Sequence, residues 1–364
     1  MPPLSRGLTA ALAAALLTTV CGAPRQKLPA FPIAIHGLSE AGGFFNSDNL
    51  ISNERSYLHV VPELRRARLE GGAYLGVGPD QNFTYIAQTH PSIAFIVDIR
   101  RDNLLLHLLF RSLFRLADSR AEYLSLLFGR PRPAPPHRWK HEDVERIAEY
   151  IDRGPAPEEE VDALRKEVDA DIARFGVPLS ESDFATIDRF HRTFIERGLE
   201  LQFESAGRPP RSDYPSYRQL LLETDRNGRR WNYLASEDDF QFVRKLQRQG
   251  LVIPVVGDLS GPTAMAAIAH LLEQRGERLS VVYASNAEYY LASRGVFEQF
   301  TANLRKFPRM KGSVIIRAIF PNPYGWAQTT PGYLSASLVQ AVDELLDGVA
   351  TGRIRGYGDL VSAR

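Results

Sequence analysis

Apolar positions along the chain fall into two kinds of pattern, short unbroken runs and longer stretches with helical spacing. Ala73 to Leu75 is a short run, followed by glycines at positions 76 and 78, a helical stretch, and a second run from Ile93 to Val97 that closes on Asp98. Unbroken runs of this length, bounded by turn residues, predict strands buried on both faces. Residues 103–128 are apolar around much of a helix circumference, which predicts a buried helix or helix pair. The proline-rich stretch 130–139 breaks that pattern. Two charged helical stretches follow, separated by Pro155 and Pro157, the first ending near Gly154. A third, with Ser180 or Ser182 as N-cap, stops at Gly198. Strand patterns return at 251–256, 279–283 and 313–320, with helical stretches at 262–275 and 296–307 between them. Such alternation predicts a parallel sheet with crossover helices. Upstream, residues 57–70 predict a helix preceded by a polar Asn/Ser-rich segment. That segment either caps a cleft or packs beside the first strand.

The expected fold class is therefore α/β, a doubly wound, mainly parallel, Rossmann-like sheet with a large helical insertion between the second and third strands. The expected division is a leader (1–23), an N-terminal segment (24–71), a sheet domain (72–101 and 246–364) and the insertion (102–245). A length of 364 residues with 44% hydrophobic and 24% charged positions suits one large domain or two ordinary ones and excludes a disordered chain.

The net charge of +1 provides no global field toward nucleic acid or an anionic membrane. The local basic tract of Arg130, Arg132, His137, Arg138 and Lys140 lies among prolines and reads as a solvated linker. In the leader, Arg6, an apolar run and the small residues Gly22 and Ala23 follow the order of a secretory signal. The run is shorter than the roughly 20 residues a membrane span needs. The expectation is an exported mature chain without a transmembrane span, with Cys21 a candidate lipidation site, or a cytoplasmic protein if the start codon is mis-assigned. Cys21 is the only cysteine, so the fold has no intrachain disulfide. The eight histidines show no metal-ligand spacing, and no metal is expected.

Candidate chemistry concentrates at the strand ends. Glycines after a first strand let backbone N–H groups approach a ligand, and an acid about 20 residues further on can hold ribose hydroxyls. Gly76, Gly78 and Asp98 fit that spacing and point to an adenosine-containing cofactor. With Asp258 after the third strand and Asn286 after the fourth, residues 72–101 and 250–320 resemble class I S-adenosylmethionine-dependent methyltransferases.

The resemblance implies that Gly76 and Gly78 wrap the methionyl part of S-adenosylmethionine and that Asp98 holds the ribose. It further implies that Asp258 accepts from the adenine amino group and that Leu259 offers its N–H to the ring. Tyr74 stands where the family usually has an acid, and Asp80 where a third glycine is common; Asp80 or Asn82 takes over the contacts to the cofactor ammonium. Asn286, Glu288 and Tyr289 are the candidates for positioning an unidentified methyl acceptor. Each of these has a structural alternative: a turn or helix cap for Asp98, Asp258 and Asn286, and core packing for the tyrosines. Two other functions remain open, an NAD(P)-dependent oxidoreductase with Arg100 and Arg101 meeting a 2′-phosphate, and a non-catalytic exported protein with a degenerate methyltransferase-like domain.

Overall fold

The computed structural model describes residues 26–205, 211–320 and 330–362. The leader, including Cys21, lies outside the described residues. The chain is mixed α/β, about half helical, around one six-stranded sheet.

In chain order, α1 (Phe31–Leu38), a 3-10 turn (Arg55–Val60) and α2 (Val61–Ala67) precede β1 (Ala73–Gly76), α3 (Gln81–Thr89) and β2 (Ile93–Asp98). Among the described residues, eight α-helices lie between β2 and β3: α4 (Arg101–Leu116), α5 (Arg120–Leu127), α6 (Pro136–Trp139), α7 (Val144–Arg153), α8 (Glu158–Ala173), α9 (Glu181–Arg197), α10 (Tyr217–Leu221) and α11 (Glu237–Gln249). Then come β3 (Val252–Val256), α12 (Ala264–Arg275), β4 (Leu279–Ser285), α13 (Ala287–Ser293), α14 (Phe297–Arg305) and β5 (Arg309–Ile319). After β6 (Ala336–Ala341), α15 (Val342–Ala350) and α16 (Tyr357–Ser362) close the chain.

Strand order is β3-β2-β1-β4-β5-β6. The first five strands run parallel and β6 is antiparallel to β5. β1 and β3 are buried along their whole length and β2 in all but its last residue, which accounts for their unbroken apolar runs. Because β2 and β4 flank β1 on opposite sides, the connections diverge between β1 and β4. The change of connection direction thus falls between the carboxyl ends of these two strands.

Local sequence sets the helix boundaries. Ser180 caps α9 with a full capping box, its hydroxyl accepting from the Asp183 N–H while the Asp183 carboxylate accepts from the Ser180 N–H. Gly198 ends the same helix at a positive φ. The helix expected over 57–70 is split. Pro62 has no N–H to continue the hydrogen-bond ladder, so a 3-10 turn precedes α2, which stops at Arg68 in the left-handed conformation. No helix among the described residues is long and apolar enough to cross a membrane.

Candidate functional site

The segment between α1 and the 3-10 turn crosses the carboxyl edge of the sheet in strand order. At β3, the Glu40 N–H donates to the Val256 carbonyl, and the Glu40 carboxylate accepts from the backbone N–H groups of Asp258, Thr263 and Ala264. Past β2, the Gly43 N–H donates to Ile99, and Arg100 donates to the Ser47 and Asp48 carbonyls. Asn49 lies against Gly78 after β1. At β4 the strap ends in Glu54. The polar segment thus runs over the carboxyl edge of the sheet.

The turn after β1 is held from within. The Asn82 amide, fully buried, donates to the carbonyls of Val77 (2.8 Å) and Pro79 (2.7 Å) and accepts from the Tyr74 hydroxyl (2.9 Å). Asn82 is thus engaged with the turn itself. Gly76 is required because a Cβ there would press on the Asn82 side-chain oxygen and lie 2.7 Å from the Tyr74 ring. Gly78 is required for a different reason, its φ of +78°. Gly76→Ala is expected to destabilise the protein by about 1–3 kcal/mol through overpacking, read from the denaturation midpoint. An unchanged midpoint would mean that Asn82 yields easily and does not fix the turn.

His107 supports the same turn from α4. It is fully buried, and burial depresses its pKa to about 4 despite the nearby Gly78 carbonyl. The ring is therefore neutral near pH 7, so Nε2 carries the proton it donates to Gly78 O at 2.9 Å.

Asp98 ends β2, and its carboxylate is gripped by Arg100. Oδ1 accepts from the Arg100 N–H (2.9 Å) and Nε (3.0 Å), and Oδ2 accepts from Nη2 (2.8 Å). A carboxylate has about four acceptor positions, so one on Oδ2 remains open. Arg101 pairs with both oxygens of Asp183. Both arginines are engaged in ion pairs.

Asp258 follows β3. Burial raises its pKa, but the Ser260 hydroxyl and N–H and the Arg294 guanidinium outweigh burial and hold it below the usual value. The Leu259 carbonyl accepts from Asn303. After β4, Asn286 occupies the N-cap position of α13 without a side-chain capping bond, and Tyr289 packs edge-on against Tyr290 and Tyr357. Glu288 faces inward. Both of its oxygens pair with Arg317 of β5, at 2.5 and 3.2 Å, with both side chains buried. Glu288 is a core ion pair and does not face an acceptor.

Two buried acids, Glu54 and Asp80, combine a raised pKa with no ion-pair partner among the described residues. Glu54 accepts from the Tyr283 hydroxyl (2.7 Å), the Gln81 amide (3.1 Å) and the Ser285 hydroxyl. Burial raises its pKa, and these three hydrogen bonds offset that only in part. Ser285, which ends β4, has a φ of +52°, uncommon for a residue with a Cβ. Asp80 begins α3, and its side chain enters a pocket of about 20 Å3 lined by Tyr57, Gln81, Tyr217, Asn232 and Tyr233, with Leu220 and Leu221. Burial pushes its pKa up to about 7, against two long hydrogen bonds from the Tyr217 (3.3 Å) and Tyr233 (3.4 Å) hydroxyls. Asp80 was legible as a site candidate. Glu54 was not, because an acid inside a polar Asn/Ser/Glu/Arg tract reads as a surface loop.

A family model described as a domain of unknown function (DUF7790) matches residues 50–351. The chain belongs to that family. The DUF7790 span takes in Glu54, the glycine turn, Asp80 and all six strands, so the sheet and both uncompensated acids fall within the family domain. Comparison with curated proteins finds no match.

Proposed function

We propose that this protein binds S-adenosylmethionine across the carboxyl ends of β1 to β4 and transfers its methyl group to an acceptor. The sheet is read as a doubly wound, Rossmann-like domain, and residues 102–245 as its insertion. The observation that carries the reading is the junction of β1 and β4 in a β3-β2-β1-β4-β5 order, with the glycine turn on one side and Ser285-Asn286 on the other.

The donor set fits the cofactor in three places. The Gly78 backbone, buried beneath the Asn49 amide, suits the methionyl part of the cofactor once Asn49 turns aside. The open acceptor position on Asp98 suits one ribose hydroxyl. Asp258 and the Leu259 N–H suit the adenine edge once Arg294, half-exposed, turns aside. The bound cofactor supplies an electrophilic methyl group on a sulfonium. This chain's own contribution is placement, because an in-line displacement gains most from a well-aligned nucleophile. Asn286 and Tyr289, beside the end of β4, are the residues proposed to orient the acceptor. Against the oxidoreductase alternative, Arg100 and Arg101 are both held in ion pairs.

S-Adenosylhomocysteine is expected to raise the melting temperature, contributing about 2.7 kcal/mol at a hundredfold excess over Kd. Because the strap covers the strand ends, binding should also alter amide exchange over residues 40–54. Asp258→Ala is expected to weaken binding roughly tenfold or more. Asp98→Ala is a poorer probe, since it strips the partner from buried Arg100 and costs stability whatever the ligand. A shift with NADPH and none with S-adenosylhomocysteine would replace this reading with the oxidoreductase. No shift with either would leave a non-catalytic domain.

A further inference from the structure

We infer that the Asp80 pocket recognises a primary ammonium group, and that the methyl acceptor carries one. The first statement stands on the pocket alone, and the second rests on the methyl-transfer reading.

Asp80 and Gln81 are each more than nine-tenths buried. Among the described residues, no cationic side chain pairs with Asp80, whose carboxylate accepts two long phenol contacts on Oδ2 and a hydrogen bond from its own backbone N–H. Gln81 is fixed in orientation because its Nε2 donates to Glu54 and Tyr283. Its Oε1 is consequently the free end, buried without a donor. Tyr57 and Asn232 have their own partners, Tyr57 donating to the Leu220 carbonyl and accepting from Asn232. The pocket is therefore lined by a carboxylate without a cation, Asp80, and by Gln81 with its unmet Oε1, among Tyr57, Tyr217 and Tyr233. Buried acceptors without donors are costly, and aromatic faces attract cations.

A ligand that donates several hydrogen bonds and carries positive charge satisfies all of this. About 20 Å3 admits a group the size of one water molecule. That size suits –NH3+, and a quaternary ammonium has no N–H to donate.

The pocket's position favours the acceptor over the cofactor. Apart from Tyr57, Asp80 and Gln81, its walls come from residues 217–233, in the segment between β2 and β3 and not from the sheet edge. An ammonium paired with Asp80 keeps its proton and has no lone pair to methylate. The group is therefore an anchor, and the acceptor presents a second nucleophilic atom to the crevice.

The test is thermal melting of the full chain at pH 8 and fixed ionic strength, with methylammonium, potassium or tetramethylammonium chloride. Methylammonium is expected to raise Tm by about 2 °C over the other two salts. The gain should disappear in Asp80→Asn, and in the unmodified protein at pH 5, where Asp80 is protonated. Tyr57, Tyr123, Tyr217 and Tyr233 feel the Asp80 charge and do not titrate in that range, whereas Glu54, which holds Gln81, is also raised by burial, so Asp80→Asn is the arm that assigns the pH dependence to Asp80. Equal shifts with potassium, or a shift that survives at pH 5, would overturn the ammonium site. Saturating S-adenosylhomocysteine should leave the methylammonium shift in place, and competition between the two would reassign the pocket to the cofactor. A methylammonium shift without any S-adenosylhomocysteine binding keeps the ammonium site and removes the methyltransferase.

Discussion

Arg317→Met is expected to lower the unfolding free energy by about 3–5 kcal/mol, the largest loss among the substitutions considered. Arg317 is 2% exposed and its partner Glu288 is 1% exposed, so removing the guanidinium leaves a carboxylate with neither water nor a cation. The Gln340 amide oxygen, which accepts from Arg317 Nη1 at 2.8 Å, also loses its donor. Adding Glu288→Leu to Arg317→Met should restore much of the loss, because a buried ion pair is often no better than apolar packing of similar volume. Denaturation of both singles and the double closes the cycle. Additive losses would show that the two side chains act independently. The same cycle tests the assignment of Glu288, since a residue that served an acceptor would affect turnover more than stability.

Asp80 is expected to make stability fall as pH rises from about 4 to about 7. Its folded-state pKa is raised to about 7 from an ordinary 3.8, so across that window the native state holds a proton that the unfolded chain has released. Where the native state binds more protons, the unfolding free energy decreases with pH. The contribution is complete above pH 7 and absent below pH 4, and about 4 kcal/mol is its upper bound. Glu54 is displaced in the same direction by burial, so the slope of the unmodified protein includes both acids. Asp80→Asn isolates one of them. The variant should match the parent near pH 4 and exceed it increasingly up to pH 8, while its amide oxygen still accepts from Tyr217 and Tyr233. A stability difference that does not vary with pH would mean that Asp80 stays ionised in the fold.

The parallel strands could be read from sequence because each is a buried apolar run. Observed β2 and β3 lie within one residue of the expected bounds, whereas β5 begins four residues earlier than expected, through polar Arg309 and Lys311. β6 escaped notice for a chemical reason. Two of its buried positions are polar, Ser337 and Gln340 on opposite faces of the strand, satisfied by Ser56 and by Arg317 of the neighbouring β5. Hydrophobic patterning cannot mark a strand whose buried polar positions are hydrogen-bonded. α1 was missed as well, as a short apolar turn of chain around a proline.

At the site, sequence supplied the glycines, Asp80, Asp98 and Asp258. It could not supply their partners. Arg100 is two residues from Asp98, yet nothing in the spacing says that it folds back onto it. Glu54 meets Tyr283 across 229 positions of sequence, a separation no local pattern records. The inward direction of Glu288 depends on the phase at which α13 leaves β4, which the sequence leaves undetermined.

The Asn82 hub has a consequence for recognition. A glycine-containing turn with no internal ties would be a fluctuating segment, and ordering it on encounter would cost roughly 1–2 kcal/mol per residue. Here one amide side chain and the Tyr74 phenol settle that entropy during folding. Under the proposed function, a cofactor reaching the turn meets a backbone already arranged, and what it gains there goes into affinity.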